Sequence, residues 1–203
     1  VSSLGMGTRE NYDSLQNGRC GIALLDIPNI DRLSIKIGAS VKGYLDNHYF
    51  TKKEISFFDR FTQFAIIAAK EAMTQSGIEI KDELEQKIGV ILGNAGGGLH
   101  TQDENFKSVY ELNKSRLHPF IIPKLMSSAA TSQISIMFNV KGPSFTVTTA
   151  CASSNHAMGQ AFKMIQSGLL IAAITGGTES MLCFGGLKAW EGLRVMSSDN
   201  CRP

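Results

Sequence analysis

The chain has 203 residues, 43% hydrophobic and 19% charged, with a formal net charge of +2. That is enough apolar material for one large domain or two small ones, and the scattered basic residues argue against a nucleic-acid binder. No apolar stretch reaches membrane-spanning length, the start lacks a secretory pattern, and Cys20, Cys151, Cys183 and Cys201 show neither metal-ligand spacing nor a disulfide framework, so a reducing, cytoplasmic setting is expected.

Residues 1–50 read as irregular, with turn chemistry at Gly5-Met6-Gly7, Asn17-Gly18 and Pro28-Asn29 and short strand-like pieces at 22–25 and 35–37. A helix is expected over 53–75, with Phe58, Phe61, Ala65, Ala68, Ala69 and Ala72 marking one face and Ser76-Gly77 ending it. Residues 88–92 read as a buried strand. Next, 99–114 reads as a polar, partly exposed helix and 123–139 as another. Gly142-Pro143 punctuates the start of a β-type run over 144–149. A helical stripe of Ala157, Met158, Ala161, Phe162 and Ile165 follows, closed by Ser167-Gly168, and 171–174 reads as a short buried strand. Strand, helix and strand in this order make a βαβ unit, which joins parallel strands by a crossover. The alternation along the chain implies an α/β fold with a largely parallel sheet.

Cys151 stands where the β-type run ends and the helix-type run begins. A thiol there meets the unpaired N–H groups and positive end of a new helix, which favour the thiolate. It also lies at the carboxyl end of a strand, the edge where open α/β sheets place ligands. Layout alone leaves two readings open: a cysteine activated for covalent catalysis, or a small buried thiol filling a tight turn. Two glycine-rich segments also follow strands. Gly93-Asn94-Ala95-Gly96-Gly97-Gly98 lacks the Lys-Ser/Thr of a phosphate loop and the dinucleotide spacing, so a close backbone approach to a substrate fits it better. Gly176-Gly177-Thr178-Glu179 reads as tight packing beside the cysteine turn. His156, five residues past Cys151, reads as a hydrogen-bonded helix histidine rather than a general base, and His48, His100 and His118 show no visible partner.

The run Gly142-Pro143-Ser144, then Thr149-Ala150-Cys151-Ala152-Ser153-Ser154, then Gly176-Gly177-Thr178-Glu179 resembles the β-ketoacyl-acyl-carrier-protein synthases, the condensing enzymes of fatty-acid and polyketide assembly, and above all the elongating type II enzymes. Val1-Ser2-Ser3-Leu4-Gly5 looks like that family's opening turn, Gly18-Arg19-Cys20-Gly21-Ile22 like its Gly-x-Ser-Gly-Ile, and Arg202-Pro203 like the start of a Ser-Arg-Pro-Phe-Asp segment. The resemblance implies a thiolase-like fold, with residues 1–203 as the N-terminal half of a layered αβαβα arrangement built on a mixed, mostly parallel sheet. The family's two catalytic histidines and its lysine belong to the other half, so the chain reads as a fragment that is inactive alone.

The implied chemistry is a decarboxylative Claisen condensation between an acyl thioester and malonyl-acyl carrier protein, with Cys151 as nucleophile. It requires no cofactor and no metal. By the same resemblance Gly96, Ile122 and Trp190 are substrate-pocket positions. Gly96 would leave the pocket floor open for a longer or bulkier acyl chain, and Ile122 would reach across a homodimer interface. Ordinary core packing is the other reading of Ile122 and Trp190. Lys53, Arg116 and Arg194 match basic positions that meet the acidic acyl carrier protein, and solvated surface charge is their other reading. The competing functions are a non-catalytic partner like a chain-length factor, which usually replaces the nucleophile, a thiolase-type acyltransferase, and a cysteine hydrolase, which would need a nearby histidine.

Overall fold

The computed structural model describes residues 1–197; Cys201 and Arg202-Pro203 lie outside the described residues. In chain order, α1 (Thr8–Gln16) leads to an antiparallel ribbon of β1 (Ala23–Leu24) and β2 (Ile37–Gly38). Helices α2 (Lys52–Phe57), α3 (Arg60–Ser76) and α4 (Leu84–Lys87) precede β3 (Ile88–Gly93). Then come α5 (Leu99–Tyr110), α6 (Ile121–Leu125), α7 (Ala129–Met137) and β4 (Ser144–Val147), followed by α8 (Ser153–Gln166), β5 (Ala172–Gly177) and α9 (Phe184–Gly192).

β3 forms the middle of a three-stranded sheet, with β4 and β5 parallel to it on either side. Every residue of β3 is buried, as a strand covered on both faces requires. Its alternation sorts the two layers. Ile88, Val90 and Leu92 join Phe61, Ile66, Ala69, Ala130 and Ile134 in the core beneath α3 and α7. Ile91 points the other way, to Ala157 and Ala161 of α8 and to Leu170. The chain is therefore α/β, with helices on both faces of the sheet. The three strands are uniformly parallel; among the described residues antiparallel pairing of named strands is confined to the β1–β2 ribbon. The β4–α8–β5 unit exists, but its strands are not neighbours: β3 lies between them, because only β3 is apolar enough on both faces for the central place.

Three expected elements differ. The helix over 53–75 is two helices, broken at extended Phe58, because Asp59 caps α3 by accepting the Phe61 N–H while Thr51 and Glu54 form a capping box on α2. The break shifts the register: Ala68 and Ala72 are exposed, and Phe61, Thr62, Ala65, Ile66 and Ala69 are buried. The helix over 123–139 also splits, into α6 and α7, with the Leu125 carbonyl accepting from the Gly98 N–H at 2.8 Å. On α8 the apolar stripe is only half covered: Ala157 and Ala161 are buried, whereas Met158, Phe162 and Ile165 are exposed. Helices α1 and α9 are additions to the expected elements.

Cys151 and Cys183 are free. Cys20 is disulfide-bonded, against the expectation of no disulfide framework; a single bridge carries no spacing signature. Among the described residues no helix is long and apolar enough to cross a membrane.

Candidate active site

Cys151 occupies a tight turn between β4 and α8, and its side chain is exposed. The helix begins at Ser153, two residues later than expected, with Ala152 as its N-cap. Ala150 takes a left-handed conformation, φ 50°, which costs an L-residue about 1–2 kcal/mol. Ser153 closes the turn from within: its Oγ accepts from the Thr149 N–H at 2.9 Å and donates to the Ala150 carbonyl at 2.7 Å. The Ala152 N–H donates to Thr149 O and the Ser153 N–H to Ala150 O, both at 3.1 Å. The strained backbone thus lifts the thiol off the end of the strand and holds it just ahead of the amides of α8.

Small residues at the strand ends seat that turn. A Cβ on Gly93 would collide with the backbone of Ser153 and Ser154, and one on Gly177 would stand 2.6 Å from Ser154 Cβ. Gly93 and Gly177 let the first turn of α8 rest on the ends of β3 and β5; Gly177 packs tightly beside the cysteine turn, as expected, whereas Gly176 faces open space. Asn94, 2% exposed, ties the three strand ends together. Its N–H donates to Val147 O at 3.1 Å and its Nδ2 to Thr178 O at 2.6 Å, while its carbonyl accepts from Thr148 Oγ1 at 2.8 Å. Asn94 Oδ1 accepts from the Gly97 N–H at 2.7 Å.

The loop after β3 has no amides to spare for a phosphate at its start, because Glu179 Oε2 accepts from the N–H groups of Ala95 (2.9 Å) and Gly96 (3.2 Å). Gly93, Asn94 and Ala95 line the cleft that holds Cys151, whereas the later glycines face other parts of the chain. A Cβ on Gly98 would stand 2.6 Å from Leu125 Cα, one on Gly97 2.6 Å from Leu125 O, and one on Gly96 would collide with Met181 Cε. They admit α6 and Met181.

Cys151 lies in the wall of a cleft of about 400 Å³, with Ala150, Ser154, Thr178, Glu179, Met181 and Trp190 around it. Trp190 lines the same cleft as Cys151. Gly96 is not a wall of this cleft, and the expectation that glycine there leaves the floor open is corrected: the Met181 side chain takes the space. Sequence reasoning missed Met181, Asn94 and Glu179. A buried amide and a carboxylate directly after two strands were the available signal, since such groups need backbone partners.

Ile122 does not line the cleft; it sits on α6, 64% exposed. Lys53, Arg116 and Arg194 are all exposed. Phe57 of α2, the helix that carries Lys53, stacks edge-on to Phe120 (4.5 Å) and to His118 (6.5 Å), two residues past Arg116. Arg194 follows α9 with φ 55°, on a different element. His118 Nδ1 also accepts from the Phe120 N–H at 3.3 Å, so it has partners that its sequence context hid.

His156 is exposed, and its side chain makes no hydrogen bond among the described residues, contrary to expectation. No histidine lines the cleft. His100, at the start of α5, is held below the usual histidine range by burial, with Asp59 opposing. It lines a separate cavity of about 840 Å³ with Phe106 and Phe184. Among the described residues no cluster of three or more His, Cys, Asp or Glu side chains can hold a metal ion. The arrangement offers a nucleophile, helix-start amides and an apolar wall, without a proton acceptor of its own.

Comparison with known proteins gives a consistent picture. The family model "Beta-ketoacyl synthase, N-terminal domain" matches residues 1–203. Nodulation protein E of Rhizobium leguminosarum bv. trifolii is 34% identical over 203 residues, covering 100% of the chain and 50% of that protein. The 3-oxoacyl-[acyl-carrier-protein] synthase 2 of Staphylococcus aureus strain N315 is 32% identical over 208 residues, again 100% of the chain and 50% of that protein. Among solved structures, the ishigamide ketosynthase/chain length factor superposes with TM-score 0.87 at 21% identity, covering 100% of the chain and 51% of its own. A β-ketoacyl synthase from Burkholderia phymatum STM815 gives 0.81 at 22% identity, covering 98% and 49%. These structural likenesses establish the fold, a thiolase-like ketosynthase half. The chain spans about half the length of the relatives it matches.

Proposed function

The chain belongs to the β-ketoacyl synthase family, as its N-terminal domain, and from that premise we propose that the complete protein is a β-ketoacyl-acyl-carrier-protein synthase with Cys151 as its nucleophile. The observation that carries this reading is an exposed thiol on a strained turn at the carboxyl ends of parallel strands, opening into a cleft walled by Trp190 and Met181.

In the first half-reaction the Cys151 sulfur attacks the carbonyl carbon of a carrier-bound acyl thioester. The carrier thiol departs with the proton, leaving an acyl-cysteine. In the second, a malonyl thioester loses carbon dioxide. Its carbanion attacks the acyl carbon and expels the Cys151 thiolate, and the β-ketoacyl product remains on the carrier. Dividing the reaction this way is the advantage of a covalent intermediate. The Cys151 N–H, just ahead of α8, is suited to receive charge developing on the thioester oxygen. The groups that drive decarboxylation, two histidines and a lysine in this family, would come from the other half, consistent with a cleft that holds no histidine.

Lys53, Arg116 and, on a separate element after α9, Arg194 are the basic residues assigned to meet an acidic acyl carrier protein. Opposite charge at a rim speeds and orients such encounters. Ile122, exposed on α6, is free to enter the pocket of a second copy in a homodimer. The catalytic thiol has to be reduced to act; the cytoplasmic setting proposed for it stands against the disulfide-bonded Cys20. A chain-length-factor role is disfavoured by the retained cysteine. The test is formation of a β-ketoacyl product from acyl- and malonyl-acyl carrier protein by the complete protein, before and after iodoacetamide treatment. Condensation should be lost on alkylation. Condensation surviving full alkylation of Cys151 sinks the proposal.

A further inference from the structure

Helix α9 is fastened to the segment before β2 along a single stripe of its surface. Phe184, Lys188 and Glu191 recur at the i, i+4, i+7 spacing that puts side chains on one helix face. The Arg32 guanidinium lies over the Phe184 ring, 4.8 Å from its centroid. Lys188 Nζ donates to the Arg32 carbonyl at 3.0 Å and to Glu191 Oε2 at 2.7 Å. Glu191 Oε1 accepts from the backbone N–H groups of both Ser34 and Ile35, the latter at 3.1 Å. The Lys188 contact first, and the Ile35 amide next, hold the Glu191 carboxyl below the usual carboxylate range, so the clamp is charged at neutral pH.

Trp190 precedes Glu191 and stands about 100° away around the helix axis, facing the Cys151 cleft. The start of the nine-residue α9 is seated by Leu187, buried with Leu25 and Leu33, and by Gly186, whose backbone lies close to Met181 and Leu99; the Glu191 contacts act at its other end, beside Trp190. We infer that Glu191 is a positioning residue: by clamping the Ser34 and Ile35 amides it sets the rotation of α9 and holds Trp190 as the wall beside Cys151, so that the cleft sorts acyl chains by shape. The substrate class rests on the condensing-enzyme reading above; the clamp itself does not.

The test uses the complete protein labelled with 5-fluorotryptophan, the Trp190 fluorine resonance being assigned by its loss in Trp190→Phe. In Glu191→Ala that resonance should shift, and its solvent isotope effect should grow as the ring loosens into water. Acyl transfer to Cys151 should fall about tenfold, in keeping with a displaced positioning group, and preference between straight and branched acyl thioesters should narrow. Iodoacetamide labelling of Cys151, which needs no wall, should stay within about twofold of wild type. Glu191→Gln, which keeps an accepting oxygen, should lie between the two. An unmoved Trp190 resonance in Glu191→Ala overturns the inference. If that variant does not fold, Glu191→Gln and Lys188→Met carry the same comparison, a shift supporting the inference and an unmoved resonance overturning it. Absence of acyl transfer in the wild type would instead count against the condensing-enzyme reading, and the fluorine comparison would still decide the clamp.

Discussion

The methyl end of Met181 occupies the space that a side chain on Gly96 would need. Residue 181, rather than residue 96, therefore limits the cleft beside Cys151. In the complete protein Met181→Ala should raise turnover of acyl chains two carbons longer by roughly tenfold relative to wild type, since each buried methylene contributes about 0.8 kcal/mol. Gly96→Ile alone should destabilise by about 1–3 kcal/mol through overpacking, and adding Met181→Ala should recover most of that in denaturant unfolding. A double variant no more stable than Gly96→Ile would show that the two residues do not share the space.

Ser153 holds the cysteine turn through both ends of its hydroxyl and is 4% exposed. Ser153→Ala removes the partner of the Thr149 N–H, a net loss of about 0.5–1.5 kcal/mol for a part-buried hydrogen bond. Melting temperature should fall, and the alkylation rate of Cys151 should change with it. A variant that melts lower yet alkylates at the wild-type rate would separate Ser153 from the placement of the thiol.

His100 gives a pH signature. Burial lowers its folded-state pKa below the ordinary value, so the unfolded chain binds the proton first as pH falls. Stability is therefore full above the unfolded histidine pKa of about 6.5, and it declines as pH drops from there toward the folded value. Melting curves between pH 7.5 and 5.5 should show a steeper loss in wild type than in His100→Gln. Equal slopes would mean that His100 does not contribute.

Met158, Phe162 and Ile165 leave an apolar face of α8 open in this half. The predicted cover for that face is the remainder of the complete protein, since the chain spans about half the length of its relatives. Phe162→Glu should destabilise the complete protein by about 2–4 kcal/mol, as burying an unpaired charge does, while making the isolated 203-residue piece more soluble. A complete protein indifferent to the change would show the face open there too.

Much of the scaffold was legible because its signal is local. Residues 88–92 form an apolar run bounded by polar chain, and they became the central strand. Gly77, φ 65°, ended α3 where a left-handed cap was expected. Cys151 stood out because a β-type run meets a helix-type run there. The breaks at Phe58 and at 126–128 were harder to see, since apolar periodicity runs through both, and only the Asp59 cap and the demand of Gly98 for the Leu125 carbonyl interrupt it. Helix α1 left little periodic trace, having Ser14 as its buried residue. Met181 and Glu179 act on Gly96 and Ala95 from more than eighty positions away, and no spacing rule reports a contact of that span. The half-exposed stripe on α8 read as core because apolar periodicity marks a helix face and does not report what covers it.

The most direct measurement is the mass of Cys151. The complete protein, incubated with an acyl thioester of acyl carrier protein in the absence of malonyl thioester, should gain one acyl group on the peptide containing Cys151, and Cys151→Ala should gain none. Acylation that persists in Cys151→Ala, or a wild-type protein that stays unmodified while its carrier remains loaded, would contradict the account.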